Sequence, residues 1–240
     1  MSFYQQLSNY YDQLFPANPA QINLIEKYSS PNARVLDIAA GTGNQALLLA
    51  GKGYAVTATD NSDEMVNKIR EKSQNNNIPI QTFVLEMENI QTITSSFDVI
   101  VCIGNSLSHL TSLSKISQTV EDIGKLLESD GTFIIQIVNY DRVIEERIHN
   151  LPVIEKTNGL TFERTYEFQQ EQVLFHGLLT VVENGDRKQF ENKVALYPLQ
   201  SFELVSVLQN AGFSEISLYG DYQENEFTTS SPAIVVVAKK

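Results

Sequence analysis

The chain has 240 residues, and its 17 basic against 29 acidic side chains leave a formal net charge of −12. A chain of this length buries roughly 70–75% of its unfolded surface, so it needs no disulfide or structural metal. With Cys102 as the only cysteine and three scattered histidines (His109, His149, His176), an intrachain disulfide and a thiolate zinc site are both excluded.

Several expectations follow from composition. The start, Met1-Ser2-Phe3-Tyr4-Gln5-Gln6, has neither a basic nor an apolar run, so no export signal is expected. The apolar stretches are too short for a membrane span. The acidic balance offers no broad surface for phosphates. A cytoplasmic protein without membrane or nucleic-acid partner is expected, as a monomer or a homodimer, with no bound metal.

In chain order, Phe3 to Phe15 reads as an aromatic-rich helical segment. Val35–Ile38 is a predicted strand, Asn44–Lys52 a helix, Ala55–Thr59 a strand and Ser62 to about Ser73 a helix. The polar run Gln74-Asn75-Asn76-Asn77 reads as a loop. Gln81–Leu85 and Phe97–Cys102 are strands, Ser114–Leu127 a helix, and Asp130-Gly131 a turn into the strand Thr132–Ile137. Strands alternating with helices predict a parallel sheet built from βαβ units.

The pattern changes after Asp141-Arg142. At least three strand-like segments lie between Val153 and Tyr197, with hairpin turns expected at Asn158-Gly159 and Asn184-Gly185. This predicts an antiparallel insert against the parallel sheet. A helix from Leu199 to Asn210, ended by Ala211-Gly212, precedes two strands, Glu215–Tyr219 and Ala233–Ala238. The expected domains are residues 1–142 with 198–240, and an inserted subdomain over 143–197.

The strongest signal is Val35-Leu36-Asp37-Ile38-Ala39-Ala40-Gly41-Thr42-Gly43-Asn44. Small residues between strand and helix let a ligand approach the backbone. Free N–H groups at the helix start add donors. Asp60, ending the second strand, suits two ribose hydroxyls. The run Gly41 to Ala46 also fits a dinucleotide fingerprint, which alone is weak. Asp37 would repel a pyrophosphate but suits an ammonium. Ribose at one end and ammonium at the other describe S-adenosylmethionine. The bland alternative is a tight turn with no ligand.

Apolar strand, Asp37, Ala-Ala-Gly-Thr-Gly and Asp60 together resemble the class I S-adenosylmethionine-dependent methyltransferases. Their usual three-glycine loop has Ala39 here in place of the first glycine. The resemblance implies a Rossmann-like, doubly wound α/β fold: a seven-stranded sheet with an antiparallel C-terminal hairpin.

Three more stretches resemble the glycine N-methyltransferase group: Cys102-Ile103-Gly104-Asn105-Ser106-Leu107-Ser108-His109-Leu110, Asn139-Tyr140-Asp141 and Leu196-Tyr197-Pro198. The resemblance implies that the insert covers a small-molecule substrate. It sets Ile103, Gly104 and Asn105 along the methionine part of the cofactor, and Glu86 with Met87 beside the adenine, where relatives often carry Asp or Asn. The cofactor-binding set it implies is Tyr11, Asp37, Ala39, Gly41, Gly43, Asp60, Asn61, Met65, Glu86, Met87, Ile103, Gly104, Asn105 and His109. His109 lies near the cofactor on this reading, or else packs locally. Tyr10, Tyr11 and Phe15 form part of a lid, or else simply pack an amphipathic helix. Candidate groups for aligning the acceptor are Asn105, Tyr140 and Tyr197; no base is assigned. Where the glycine enzyme has an arginine for the substrate carboxylate, this chain has Val138, which counts against glycine as acceptor; the alternative is that another cation, Arg142 or Arg164, reaches in from a different direction.

The leading expectation is methyl transfer to nitrogen or oxygen of a small molecule. An NAD-dependent oxidoreductase, a non-catalytic S-adenosylmethionine-binding protein and a nucleic-acid methyltransferase are the competing classes. The last lacks the basic surface and an Asn/Asp-Pro-Pro-Tyr/Phe motif for a flipped base.

Overall fold

The computed structural model describes residues 3–157, 159–183 and 185–240. The chain opens with α1 (Phe3–Leu14) and α2 (Pro19–Lys27). It then alternates β1 (Arg34–Ile38), α3 (Asn44–Gly51), β2 (Ala55–Asp60), α4 (Asp63–Asn76), β3 (Gln81–Val84), β4 (Phe97–Cys102), α5 (Leu113–Leu126) and β5 (Leu127–Val138). A short α6 (Tyr140–Glu145) leads to β6 (Ile154–Glu155), β7 (Thr161–Phe168), β8 (Val173–Glu183) and β9 (Asp186–Leu196). The last elements are α7 (Ser201–Asn210), β10 (Glu215–Tyr219) and β11 (Ala233–Lys239).

Seven strands form one sheet in the order β10-β11-β5-β4-β1-β2-β3. β1 to β5 pair in parallel, while β11 runs antiparallel to β5 and β10. This is the expected doubly wound sheet with its C-terminal hairpin. Its strands are apolar at consecutive positions because both faces are covered. Leu36, Ile38, Ile100, Phe133 and Ile135 pack under α5 and α7. The residues between them, Val35, Val99, Val101 and Ile134, pack under α2 and α3.

Strands β6 to β9 form a separate antiparallel sheet within the predicted insert. Leu160, Phe162, Leu179 and Val181 pack against Leu7 and Leu14 of α1 and Met65 of α4. Tyr166, Val173 and Leu196 pack against Tyr140 and Val143 of α6. The insert thus makes a roof shared with α1, carried on α4 and α6. Asn158 and Asn184 of the expected turns lie outside the described residues, as do Met1 and Ser2.

Three expectations need correction. The polar run at 74–77 is not all loop: α4 continues to Asn76, and Asn77 ends it at φ 53°, a conformation asparagine tolerates. Asp130-Gly131 does not precede a strand but lies within β5. Pairing with β4 jumps there from Phe97–Leu127 to Val99–Thr132, a bulge with Asp130 at φ 65°. Finally, α2 was not expected, although Asn18 caps it through the Ala20 N–H and Pro19 opens it, a start signal the sequence already holds.

Candidate functional site

Beyond β1 the chain turns sharply through Ala39, Gly41 and Gly43, at φ 56°, 56° and 78°. The two glycines serve different neighbours. A Cβ at position 41 would lie 3.0 Å from the Tyr11 ring, and one at position 43 would lie 2.8 Å from Ile69. Gly41 therefore lets α1 close over the loop, and Gly43 lets the start of α3 pack on α4. Polar contacts latch the same closure. Thr42 Oγ1 donates to Asp12 at 2.5 Å, and Asp12 pairs with Lys72 at 2.5 Å. Lys72 Nζ also donates to the Thr42 carbonyl (3.1 Å) and to Asn44 Oδ1 (2.9 Å).

Two carboxylates sit beside this loop. Asp37 is 4% exposed near the end of β1, and Asp60 is 8% exposed at the end of β2. The Gly41 N–H donates to Asp60 Oδ2 (2.9 Å) and the Ser62 N–H to Oδ1 (3.0 Å). Burial raises the Asp60 pKa, while those backbone donors oppose the rise. Nothing comparable compensates Asp37. Burial, and then the charge of Asp60, push its pKa up to about 7.

Two cavities adjoin the loop at the C-terminal ends of the parallel strands, where open α/β sheets bind ligands. The smaller, about 180 Å³, is walled by Tyr4, Tyr11, Ala39, Gly41, Asp60, Asn61, Met65, Leu85, Glu86, Met87, Gly104, Ser106 and His109. The larger, about 530 Å³, shares Tyr11, Ala39 and Gly104 and adds Asp37, Gln45, Ile103, Asn105, Gln136, Val138, Arg164 and Tyr222 among others. Together they form one trough of the size small-molecule sites have. His109 is exposed at the rim, yet enough protein crowds it that desolvation lowers its pKa.

The loop after β4 is held from below. The Gly104 N–H donates to Gln136 Oε1 at 2.9 Å. Asn105, at φ 67°, accepts the Val138 N–H on Oδ1 (2.9 Å) and donates from Nδ2 to the Tyr140 hydroxyl (2.9 Å). The Asn105 side chain is thus a staple that fixes the loop shape.

A family described as "Methyltransferase domain" matches residues 35–131. The chain is 28% identical to a glycine/sarcosine N-methyltransferase of Aphanothece halophytica, over 86% of this chain and 76% of that one. It is 24% identical to the putative methyltransferase YqeM of Bacillus subtilis, over 99% of this chain and 97% of that one. In fold it matches an S-adenosylmethionine-dependent methyltransferase from Clostridium acetobutylicum, with a TM-score of 0.85 at 19% identity, covering 98% of each chain. The matched domain, the relatives and the fold support a class I S-adenosylmethionine-dependent methyltransferase.

The methyltransferase's trough brings together most residues singled out from the sequence. Asn61, Met65, Glu86, Met87 and His109 line the smaller cavity; Asp37, Ile103 and Asn105 line the larger. Three do not reach the trough. Gly43 faces Ile69. Tyr140 is fully buried and holds Asn105. Tyr197 lines a different cavity, and its hydroxyl donates to Glu203 Oε1 at 2.6 Å. Asn105 is on the wall, but its amide is tied to Val138 and Tyr140. As groups that align an acceptor these three are therefore revised: Asn105 and Tyr140 shape the wall, and Tyr197 lies outside it. Sequence reading missed Tyr4, Leu85, Ser106, Gln45, Gln136 and Tyr222 as wall residues. Tyr4 carried a signal in the aromatic spacing of α1, whereas Tyr222 belongs to a loop without a motif. Among the described residues, no helix is long and apolar enough to cross a membrane, and no cluster of three or more His, Cys, Asp or Glu is poised for a metal ion.

Proposed function

We propose that this methyltransferase acts on a nitrogen or oxygen of a small-molecule acceptor held in the larger cavity, with S-adenosylmethionine lying along the trough. The observation that carries the reading is the buried acid pair, Asp37 and Asp60, on a wall that a pyrophosphate would have to face. Asp60 spends one acceptor position per oxygen on the Gly41 and Ser62 N–H groups, which leaves two for ribose hydroxyls. Asp37, without a hydrogen bond among the described residues, would take an ammonium. The buried Gln45 Nε2, also without a partner, would donate to the carboxylate of the methionine end. Met65 and Met87 would flank the adenine, with Glu86 and Asn61 at its edge.

When bound, S-adenosylmethionine supplies a methyl group already activated on a sulfonium. The chain's own residues then have to align donor and acceptor and keep water out. The Gly41–Tyr11 closure and the stapled 103–105 loop fix the wall on which alignment depends. In this reading residues 1–142 and 198–240 hold the cofactor, and 143–197 cover the acceptor. A net charge of −12 favours a small acceptor over nucleic acid. The relative named for glycine and sarcosine supports that size class, but Val138 leaves no cation at that position. A cytoplasmic monomer or homodimer fits the composition.

The test is a screen of small amines, amino acids and phenols for release of S-adenosylhomocysteine. Turnover with at least one class is expected. Tight cofactor binding with no turnover across the panel would instead favour a non-catalytic binding protein.

A further inference from the structure

We propose that Arg164 receives an oxyanion of the methyl acceptor, so that the acceptor carries a carboxylate or a phosphate; this rests on the cofactor reading above. Arg164 stands in the middle of β7, paired with Gly177 of β8. It comes from the inserted sheet rather than the sheet that bears Asp37 and Asp60. It is the only Lys, Arg or His on the wall of the larger cavity among the described residues.

Its side chain is incompletely satisfied. One terminal nitrogen donates to the Pro152 carbonyl at 2.8 Å, and the guanidinium lies 5.9 Å from the centre of the Phe162 ring. Nε is buried with no hydrogen-bond partner. Among the described residues no carboxylate forms an ion pair with it, and burial lowers its pKa. The other acids of this cavity are committed or distant in role. Asp221 is tied into its own turn by the Gln223 and Asn225 N–H groups and the Asn225 amide. Asp37 belongs to the cofactor end. A half-buried guanidinium without an anion is costly. Its planar fork is the group that binds carboxylate and phosphate oxygens in pairs. Val138, on the same cavity wall, offers an acceptor no cation.

The experiment uses the full chain saturated with S-adenosylhomocysteine, titrated calorimetrically with acetate and, separately, with inorganic phosphate. The proposal expects saturable millimolar binding of at least one anion. Arg164→Gln should weaken it at least tenfold, and Arg164→Lys should weaken it less. Arg70→Gln, on the exposed face of α4, should leave it unchanged. S-adenosylhomocysteine affinity should stay within about twofold in every variant, which also shows that each is folded. Acetate alone binding would assign a carboxylate acceptor, and phosphate alone a phosphorylated one. The proposal is overturned if neither anion binds saturably, or if Arg164→Gln binds it as well as wild type. It is also overturned if Arg164→Gln weakens S-adenosylhomocysteine tenfold, because Arg164 then holds the cofactor's own carboxylate. Failure of the wild type to bind S-adenosylhomocysteine would remove the underlying reading instead, and would be seen before any anion was added.

Discussion

The seven-stranded sheet brings two buried carboxylates and a tight glycine turn to the trough, whereas the four-stranded sheet and α1 bring aromatic rings and Arg164. The first contribution comes from residues close in sequence to strand ends, held by backbone geometry. The second comes from side chains that meet only after long-range packing. On the function proposed above the difference is a division of labour: the parallel sheet would recognise a nucleoside bearing an ammonium, and the roof would select what is placed against it. Each half can be perturbed separately.

The largest effect is expected at Asp60. Two hydroxyl bonds to a carboxylate contribute roughly 1.5–3 kcal/mol each. Asp60→Ala should weaken S-adenosylmethionine at least tenfold by calorimetry. An unchanged affinity in a folded variant would break the assignment of the ribose to the parallel sheet.

Asp37 should show stability and binding moving in opposite directions. The folded protein keeps a proton on Asp37 between the ordinary 3.8 and about 7, where the unfolded chain has lost it. Stability therefore falls as pH rises through that window. Asp37→Asn should stabilise the cofactor-free protein by roughly 1–3 kcal/mol at about pH 8, and by less near pH 4. The same variant should bind S-adenosylmethionine more weakly. Wild-type affinity should rise from about pH 6 to about pH 8, as Asp37 ionises to meet an ammonium, and Asp37→Asn should flatten that rise. Denaturant midpoints across pH and matched titrations check both. A variant that loses stability at high pH would contradict the electrostatic account.

On the acceptor side the expected change is one of preference. Glycine, whose short carboxylate would fall at Val138, should be a poorer acceptor for the wild type than the best member of a panel of amines and phenols that carry a carboxylate or phosphate farther from the accepting atom. Val138→Arg should raise glycine turnover relative to that panel. Equal use of glycine by the wild type would show that position 138 does not set the preference.

The smallest effect concerns the loop itself. Ala39 holds a left-handed φ of 56° with a side chain attached, a strain of about 1 kcal/mol. Ala39→Gly should relieve part of it and raise the melting temperature by up to about 3 °C. A fall would mean that the Ala39 methyl packs usefully on the cavity wall.

How much of this was legible in sequence follows the same division. The order of parallel strands and helices could be read because each strand is a short apolar run bounded by local signals. The Asp37–Gly41–Asp60 constellation could be read because its members end adjacent strands. What escaped was set by long-range partners. The hydrogen bonds of Asn105 to Val138 and Tyr140 join residues more than thirty positions apart. That turned a candidate aligning group into a staple. Tyr197 looked like a site residue from its motif, yet the start of α7 draws its hydroxyl to Glu203. Arg164 could be named but not placed, since its position depends on how β7 pairs with β8. The α2 start at Asn18-Pro19 was legible and was missed.

The most direct test of the central claim, that the acid pair builds a site for a nucleoside bearing an ammonium, is a paired titration of the wild type with S-adenosylhomocysteine and with NADH. The account predicts saturable binding of S-adenosylhomocysteine and no detectable binding of NADH at comparable concentration. Tight NADH binding with no response to S-adenosylhomocysteine would contradict it.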